Sequence, residues 1–347
     1  MRRIIVGLAA AAIVVAGATP AFACGGLVNP NGTVSLTRTT TFAGYRWGVE
    51  HYVTSFEFQG GGARFGSIVP LPGIPTKVRR GGDWTLQRLV REVRPPVPAP
   101  AEGEAAAGGD RDVDVILKTE IDSLDITVLK GAGRAVGRWA ERQGFVLSPD
   151  APEVLDFYGE RSPIFMAAAF DPKKAKKSDK QVGDGVPIHL NIPTDNPWVP
   201  LRILGLGVPQ DGAINADVFL LTRTEPALLP EPQEAGTPEG VVLDRSEPAS
   251  RSLLADLRSD KGMRWMPRRN MWLTYLRIDT TAGDLTFDLA TNLWGEEPSA
   301  EDAGVVDAPD ESRRGSRSAP AWAWVTASFM GAGVLALGGR RAPARKS

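Results

Sequence analysis

Apolar residues at every second position dominate the chain from residue 33 onward. In TVSLTRTTTF, Val34, Leu36 and Phe42 share one face while Ser35, Thr37, Thr39 and Thr41 share the other, the period of a half-solvated β-strand. HYVTSFEFQGGGARFGSIVPLPG gives two further strands around the glycines at 60–62, which read as a hairpin connection. DVDVILKTEIDSLDITVLKG reads as a strand pair turning at Asp122 and Ser123. Strands return in PIFMAAAF, VPIHLNIP, VPLRILGLG and ADVFLLTRT, and MWLTYLRIDT with DLTFDLAT predicts a closing hairpin across Ala282 and Gly283.

Helical spacing interrupts this pattern in four places. DWTLQRLVREV aligns Leu86, Leu89, Val90 and Val93 on one stripe, with Asp83 placed to cap it. Residues 135–143 turn Val136, Trp139 and Ala140 inward and stop at Gly144; residues 152–158 carry Val154, Leu155 and Tyr158; residues 250–258 carry Leu253, Leu254 and Leu257. Strands outnumber helices and come in blocks rather than in regular alternation with them. The pattern therefore predicts an α+β fold, mainly antiparallel sheet with a few short helices.

The two ends follow a different logic. Arg2 and Arg3, the apolar run 4–17, Pro20 and the small residues around Phe22 predict a secretory signal peptide over 1–23, which makes Cys24 the first mature residue. Cys24 is the only cysteine, so no intramolecular disulfide can form. It stands either as a lipid acceptor, although Ala21 and Phe22 replace the residues usual before such a cysteine, or as an exposed thiol. Near the other end, residues 321–339 carry no charge and would cover about 28 Å as a helix, close to a bilayer's hydrocarbon layer. Trp322 and Trp324 sit at the outer edge of this run and Arg340, Arg341, Arg345 and Lys346 follow it, which predicts a transmembrane helix at 319–339 and a cytoplasmic basic tail at 340–347. A buried hairpin helix and a processed sorting tail are the alternatives, and no L-P-x-T-G precedes the run. The expected location is the cell membrane, single-pass and type I, with the bulk of the chain extracytoplasmic.

Composition refines this outline. Forty-one acidic against 40 basic residues give no footprint for a nucleic-acid partner. The stretch 95–110 lacks the apolar residues that would offset ordering entropy and reads as a disordered insertion; 295–318 does so as a disordered acidic stalk. That leaves 24–294 as the external domain.

Candidate chemistry is sparse. His51 and His189 are the only histidines, and with Glu50 or Glu57 they could form a zinc site of hydrolytic type; the alternative makes both surface or hydrogen-bonded residues of the sheet. KGAGRAVGRW resembles a dinucleotide loop, but Val136 stands where the third glycine belongs. No G-x-S-x-G or S-x-x-K is present, and no cofactor is implied. Lys173, Lys174, Lys176, Lys177 and Lys180 form a basic loop, suited to anionic envelope polymers or lipid headgroups, or simply solvated. RWMPRRNMW combines Trp265, Arg268, Arg269 and Trp272, a composition of binding surfaces, unless the tryptophans belong to the core around a turn.

ACGGLV after the signal, GVEHYVTSFEF, FGSIVPLPGIPTKV, GGDWTLQRL, WAERQGF, LDFY and PWVPLRILGLG occur in this order. Together they resemble the secreted bacterial family catalogued as domain of unknown function 2330, over most of 24–294. The resemblance implies an envelope-exposed domain with no assigned activity or site residues. The expected function is that of an anchored external domain that binds or scaffolds an envelope component, a cell-wall polymer or another envelope protein. The alternative is a surface hydrolase using His51 and His189 with a carboxylate.

Overall fold

The sheet residues sort into two large sheets and a small third one. An eight-stranded sheet runs in the order β13 (Gln233–Glu234), β14 (Gly240–Pro248), β15 (Trp272–Thr281), β11 (Ala213–Thr222), β2 (Thr39–Arg46), β3 (Val49–Phe56), β9 (Val186–Pro193) and β5 (Lys77–Arg80). A five-stranded sheet runs β1 (Gly26–Val28), β4 (Gly66–Leu71), β8 (Ile164–Phe170), β7 (Leu124–Lys130) and β6 (Asp114–Ile121). The small sheet joins β10 (Trp198–Val199), β16 (Leu289–Asn292) and β12 (Ala227–Leu229). The computed structural model describes residues 26–28, 39–56, 66–94, 114–170, 186–299 and 302, all of them in the unit Met1–Val305.

Side-chain alternation then dictates the layers. Tyr52, Ile188, Leu190 and Ile192 of the large sheet interdigitate with Val69, Leu71, Ile126, Val128 and Met166 of the five-stranded sheet, the burial expected of two packed sheets. On the far side of the five-stranded sheet, Ile68, Leu129 and Phe165 pack against α2 (Gly133–Arg142) and α3 (Ala151–Arg161) through Val136, Trp139, Leu155 and Tyr158. Phe42, Val53, Phe219 and Leu273, on the far side of the large sheet, meet α1 (Thr85–Val93) and α4 (Arg251–Ser259) through Leu89, Leu253, Leu254 and Leu257. Helices thus cover both outer faces of a sheet pair.

This architecture corrects the α+β expectation with its added transmembrane helix. The described residues are mostly β-sheet, 44% strand against 20% helix. Among the described residues no helix is long and apolar enough to cross a membrane, and the predicted span at 319–339 lies outside them, as do the signal segment and the predicted insertion at 95–110. The imbalance has a physical source. Short strands such as β5, β12 and β13 are ordered by pairing alone and carry no alternation, while the four described helices span only one face each over 9 to 11 residues.

Four local expectations also change. β2 is buried along nearly its whole length, Thr39 and Thr41 included, because both faces of a central strand are covered. β3 and β4 enter different sheets, so the glycines at 60–62 do not connect a hairpin. β16 leaves β15 for the small sheet, and in VPLRILGLG only Val199 is strand, while Arg202–Gly205 form a 3-10 turn. The remaining helices and strand pairs lie where periodicity put them.

The cap of α1 comes from far along the chain. Asp83 is held in an ion pair by Arg80, and Asp260 instead accepts the backbone N–H of Thr85 at 2.8 Å and its hydroxyl at 2.5 Å. Replacing Asp260 by Ala orphans these donors, and the expected outcome is a loss of about 2 kcal/mol. A denaturant titration would show it as a lowered midpoint with unchanged slope.

Candidate functional site

Strand register gathers four polar side chains onto one patch. Val53 of β3 pairs with His189 of β9, which pairs with Arg79 of β5; one step along, Gly44 of β2 pairs with His51 and His51 with Asn191. With period two, His51, His189, Asn191 and Arg79 therefore share the face that Phe42 and Val53 occupy. The segment after α4 closes over them. Gly44 makes room for it: a Cβ there would lie 2.6 Å from Cη2 of Trp265. The Trp265 indole fills that space and stacks on His51, with ring centroids 3.8 Å apart and planes 4° from parallel. Gly262, at φ +86°, passes where a Cβ would come within 3.0 Å of His189 Nδ1.

The hydrogen-bond pattern fixes the tautomers. Arg79 Nη2 stands 3.4 Å from Nδ1 of His189 and also donates to Asn191 Oδ1 at 3.2 Å. Arginine has no acceptor, so His189 Nδ1 accepts and its Nε2–H donates to His51 Nδ1 at 3.1 Å, which leaves the proton of His51 on Nε2. Burial, reinforced by the Arg79 charge, holds both imidazoles down to about 3. His189 is 0% and His51 6% exposed. The pair is neutral and sealed beneath Trp265.

The family model described as an uncharacterised protein conserved in bacteria, DUF2330, matches residues 18–235. The chain belongs to this family. No curated protein and no solved structure matches it. The DUF2330 segment contributes His51, Arg79 and His189, whereas Trp265 and the segment that covers them lie beyond its end.

The carboxylates expected beside the histidines stand elsewhere. Glu50 points to the opposite face of β3, fully buried, with only the Trp198 N–H near its Oε2 at 3.4 Å; burial pushes its carboxyl well above the usual range. Glu57 lies outside the described residues. Among the described residues no three or more His, Cys, Asp or Glu side chains group to hold a metal ion. A second buried acid, Asp288, accepts Tyr158 Oη–H at 2.7 Å and the N–H groups of Leu201 and Arg202 on one oxygen. Burial raises it to about 7 despite these donors. This network ties the small sheet and the 3-10 turn to α3 and is structural.

The proposed binding residues separate. Arg268 and Arg269 are exposed on the turn after Met266, and Trp265 lies half-buried at its base. Trp272 belongs to β15, donates its indole N–H to Ser246 Oγ at 2.9 Å, and alternates with Leu273, so it lies on the sheet face opposite Trp265. The lysines at 173–177 and Cys24 lie outside the described residues. Three participants escaped the periodicity reading. Arg79 lies in the short edge strand β5, whose four residues carry no alternation. Arg46 and Trp47 form the tip of the β2–β3 hairpin: Arg46 donates to the Trp265 carbonyl at 2.5 Å and stacks over the Trp47 ring at 3.6 Å. Trp-Gly between two alternating runs was the available signal for an exposed tip.

Proposed function

We propose that the chain is a single-pass membrane-anchored envelope protein whose external β-rich domain binds an anionic component of the envelope rather than catalysing a reaction. The observation that carries this reading is the arginine turn. Met263 and Met266 are buried in the core, Arg46 holds the Trp265 carbonyl, and Arg258 holds the Arg264 carbonyl at 3.1 Å, so the backbone is fixed. Arg264, Arg268 and Arg269 project from it into solvent. Three guanidinium groups carried on one fixed turn suit carboxylate or phosphate groups repeated along a polymer. The anchoring supports are those of the two termini, the apolar run behind Arg2 and Arg3 and the uncharged 321–339 followed by cations.

The hydrolase alternative draws on the 3.1 Å approach of the two histidines. Its imidazoles are sealed and neutral, and the one described carboxyl group proposed for it faces away. For the binding reading, the full chain in detergent should sediment with purified anionic cell-wall sacculi, more weakly as salt rises. Changing Arg264, Arg268 and Arg269 together to Ala is expected to weaken this binding about tenfold, as three exposed ionic contacts would. Unaltered sedimentation of that variant would remove the arginine turn from the account.

A further inference from the structure

Six large hydrophobic side chains are exposed among the described residues: Trp47, Ile74, Val115, Ile116, Val146 and Trp294. Three of them come from distant parts of the sequence and ring one turn, residues 193–195. Trp47 is 82% exposed, and the carbonyl of its neighbour Gly48 accepts the Thr194 N–H at 3.1 Å. Trp294 is 71% exposed and donates its indole N–H to the Asp195 carbonyl at 3.3 Å. Ile74 is 46% exposed, and a Cβ on the adjacent Gly73 would lie 3.0 Å from the Pro193 carbonyl. The turn itself is pinned from inside, where the Tyr45 hydroxyl reaches the carbonyls of Thr194 at 3.0 Å and Asp195 at 2.6 Å.

We infer that this edge, carrying Trp47, Ile74 and Trp294, docks on the surface of a lipid bilayer and seats the three side chains in the interfacial layer. The inference rests on the membrane-anchored reading above. Indole is at home at that depth, because its ring is apolar and its N–H still finds polar partners. Trp47 suits the position in a particular way. Its backbone sits at φ 55°, a conformation few aromatic residues adopt, and the Arg46 guanidinium covers the ring while its stem stays alongside. Such an arrangement presents an indole outward with a cation at headgroup level.

The chain's own path chooses the bilayer as occupant. Trp294 is the last large apolar residue before the charged run 295–318, which leads to the uncharged segment 321–339. Residues 295–299 still lie along the domain, and Asp302 lines a pocket with Thr194 and Asp195 of this same turn, so a tether that begins after it keeps the edge at high effective concentration near the membrane. Charges around it are mixed, with Arg46 and Lys77 against Asp195, Glu296 and Glu297. Docking is consequently led by the apolar side chains and persists in salt, unlike polymer binding by the arginine turn.

The test uses the full chain reconstituted in phosphatidylethanolamine and phosphatidylglycerol vesicles, with a protease site inserted between residues 305 and 315. After cleavage the domain is expected to float with the vesicles in 0.5 M salt, a concentration that screens exposed charges. A chain carrying Trp47→Asn, Ile74→Ser and Trp294→Ser should release at least ten times more domain; asparagine is chosen because it tolerates the left-handed backbone, and unchanged circular dichroism certifies the fold. Complete release of the unmodified domain on cleavage overturns the docking and leaves the anchor standing. Equal retention of both chains overturns it too, since another surface then holds the domain. Retention only on vesicles made from native membranes makes a protein receptor the occupant and rejects the lipid. An uncut chain that does not float defeats the anchored reading and the docking with it.

Discussion

A chain with Gly133→Val is expected to lose 3 kcal/mol or more of stability, enough to leave many domains largely unfolded at 37 °C. Gly133 opens α2 directly against α3. A Cβ at this position would land on the carbonyl of Leu155 and the amide nitrogen of Asp156, and one at Gly159 would meet the Gly133 nitrogen at 2.5 Å. Backbone atoms inside a packed helix cannot swing aside as a side-chain tip can. The two helices must separate, which opens the cluster of Val136, Trp139, Leu155 and Tyr158 on the five-stranded sheet. Gly205→Ala is the control: its Cβ would rest 3.5 Å from that of Ala282, an ordinary contact, and near-native stability is expected. Thermal denaturation of the three chains decides the matter. Equal midpoints for Gly133→Val and the unmodified chain would refute the close crossing.

The second large effect concerns pH. His51 and His189 titrate near 3 in the fold against an ordinary 6.5, so their contribution to stability is complete above pH 6.5 and is lost as pH falls toward 3. Two such groups remove about 2.7 kcal/mol per pH unit across that window. Glu50 and Asp288 act with the opposite sign. Their carboxyls are raised, Asp288 to about 7 from 3.8, so their contribution is full at low pH and declines as pH rises above the unfolded values. Between about pH 4.5 and 6.5 Asp288 offsets one histidine, and Glu50 acts in the same direction as Asp288. Below about 3.8 only the histidines remain active and stability should fall steeply; above 6.5 the acids alone act and it should decline again. Denaturant midpoints measured from pH 3 to 8 should therefore trace a plateau with two falling sides. The chain has only two histidines, so proton NMR of an untagged sample should show two Cε1–H signals that stay fixed from pH 8 to 5 and titrate near 6.5 in urea. Movement of either signal in the folded protein around pH 6 would contradict the sealed pair.

Much of the fold was legible because burial writes a period into the sequence. α2 and α3 were placed by Val136, Trp139, Leu155 and Tyr158, and β9 by Ile188, Leu190 and Ile192 opposite His189. Pairing was not legible, since alternation says which residues face together and nothing of which strand lies alongside. β3 and β4 read as neighbours and belong to separate sheets. The same limit hid the site. His51 and His189 stood out as rare residues, but their 3.1 Å approach depends on β3 lying beside β9, and the Trp265 cover depends on Gly44 two strands away. Gly133 shows the complement: in a glycine run that lacks the third glycine of a dinucleotide loop, it is needed for a close helix crossing. Trp47 lay open to inspection, yet an isolated surface aromatic has no meaning until Ile74 and Trp294 are found at the same turn.

The parallel join of β2 to β11 at the centre of the large sheet, with Thr39 opposite Ala216, sets a rule for biogenesis. A ribosome delivers the early strand long before its neighbour exists; at about 5–20 residues per second the wait is on the order of ten seconds. During that interval an apolar edge stands bare and prone to wrong pairing, so holding factors should matter most to this protein while it is still nascent, and fragments cut short of residue 222 should aggregate.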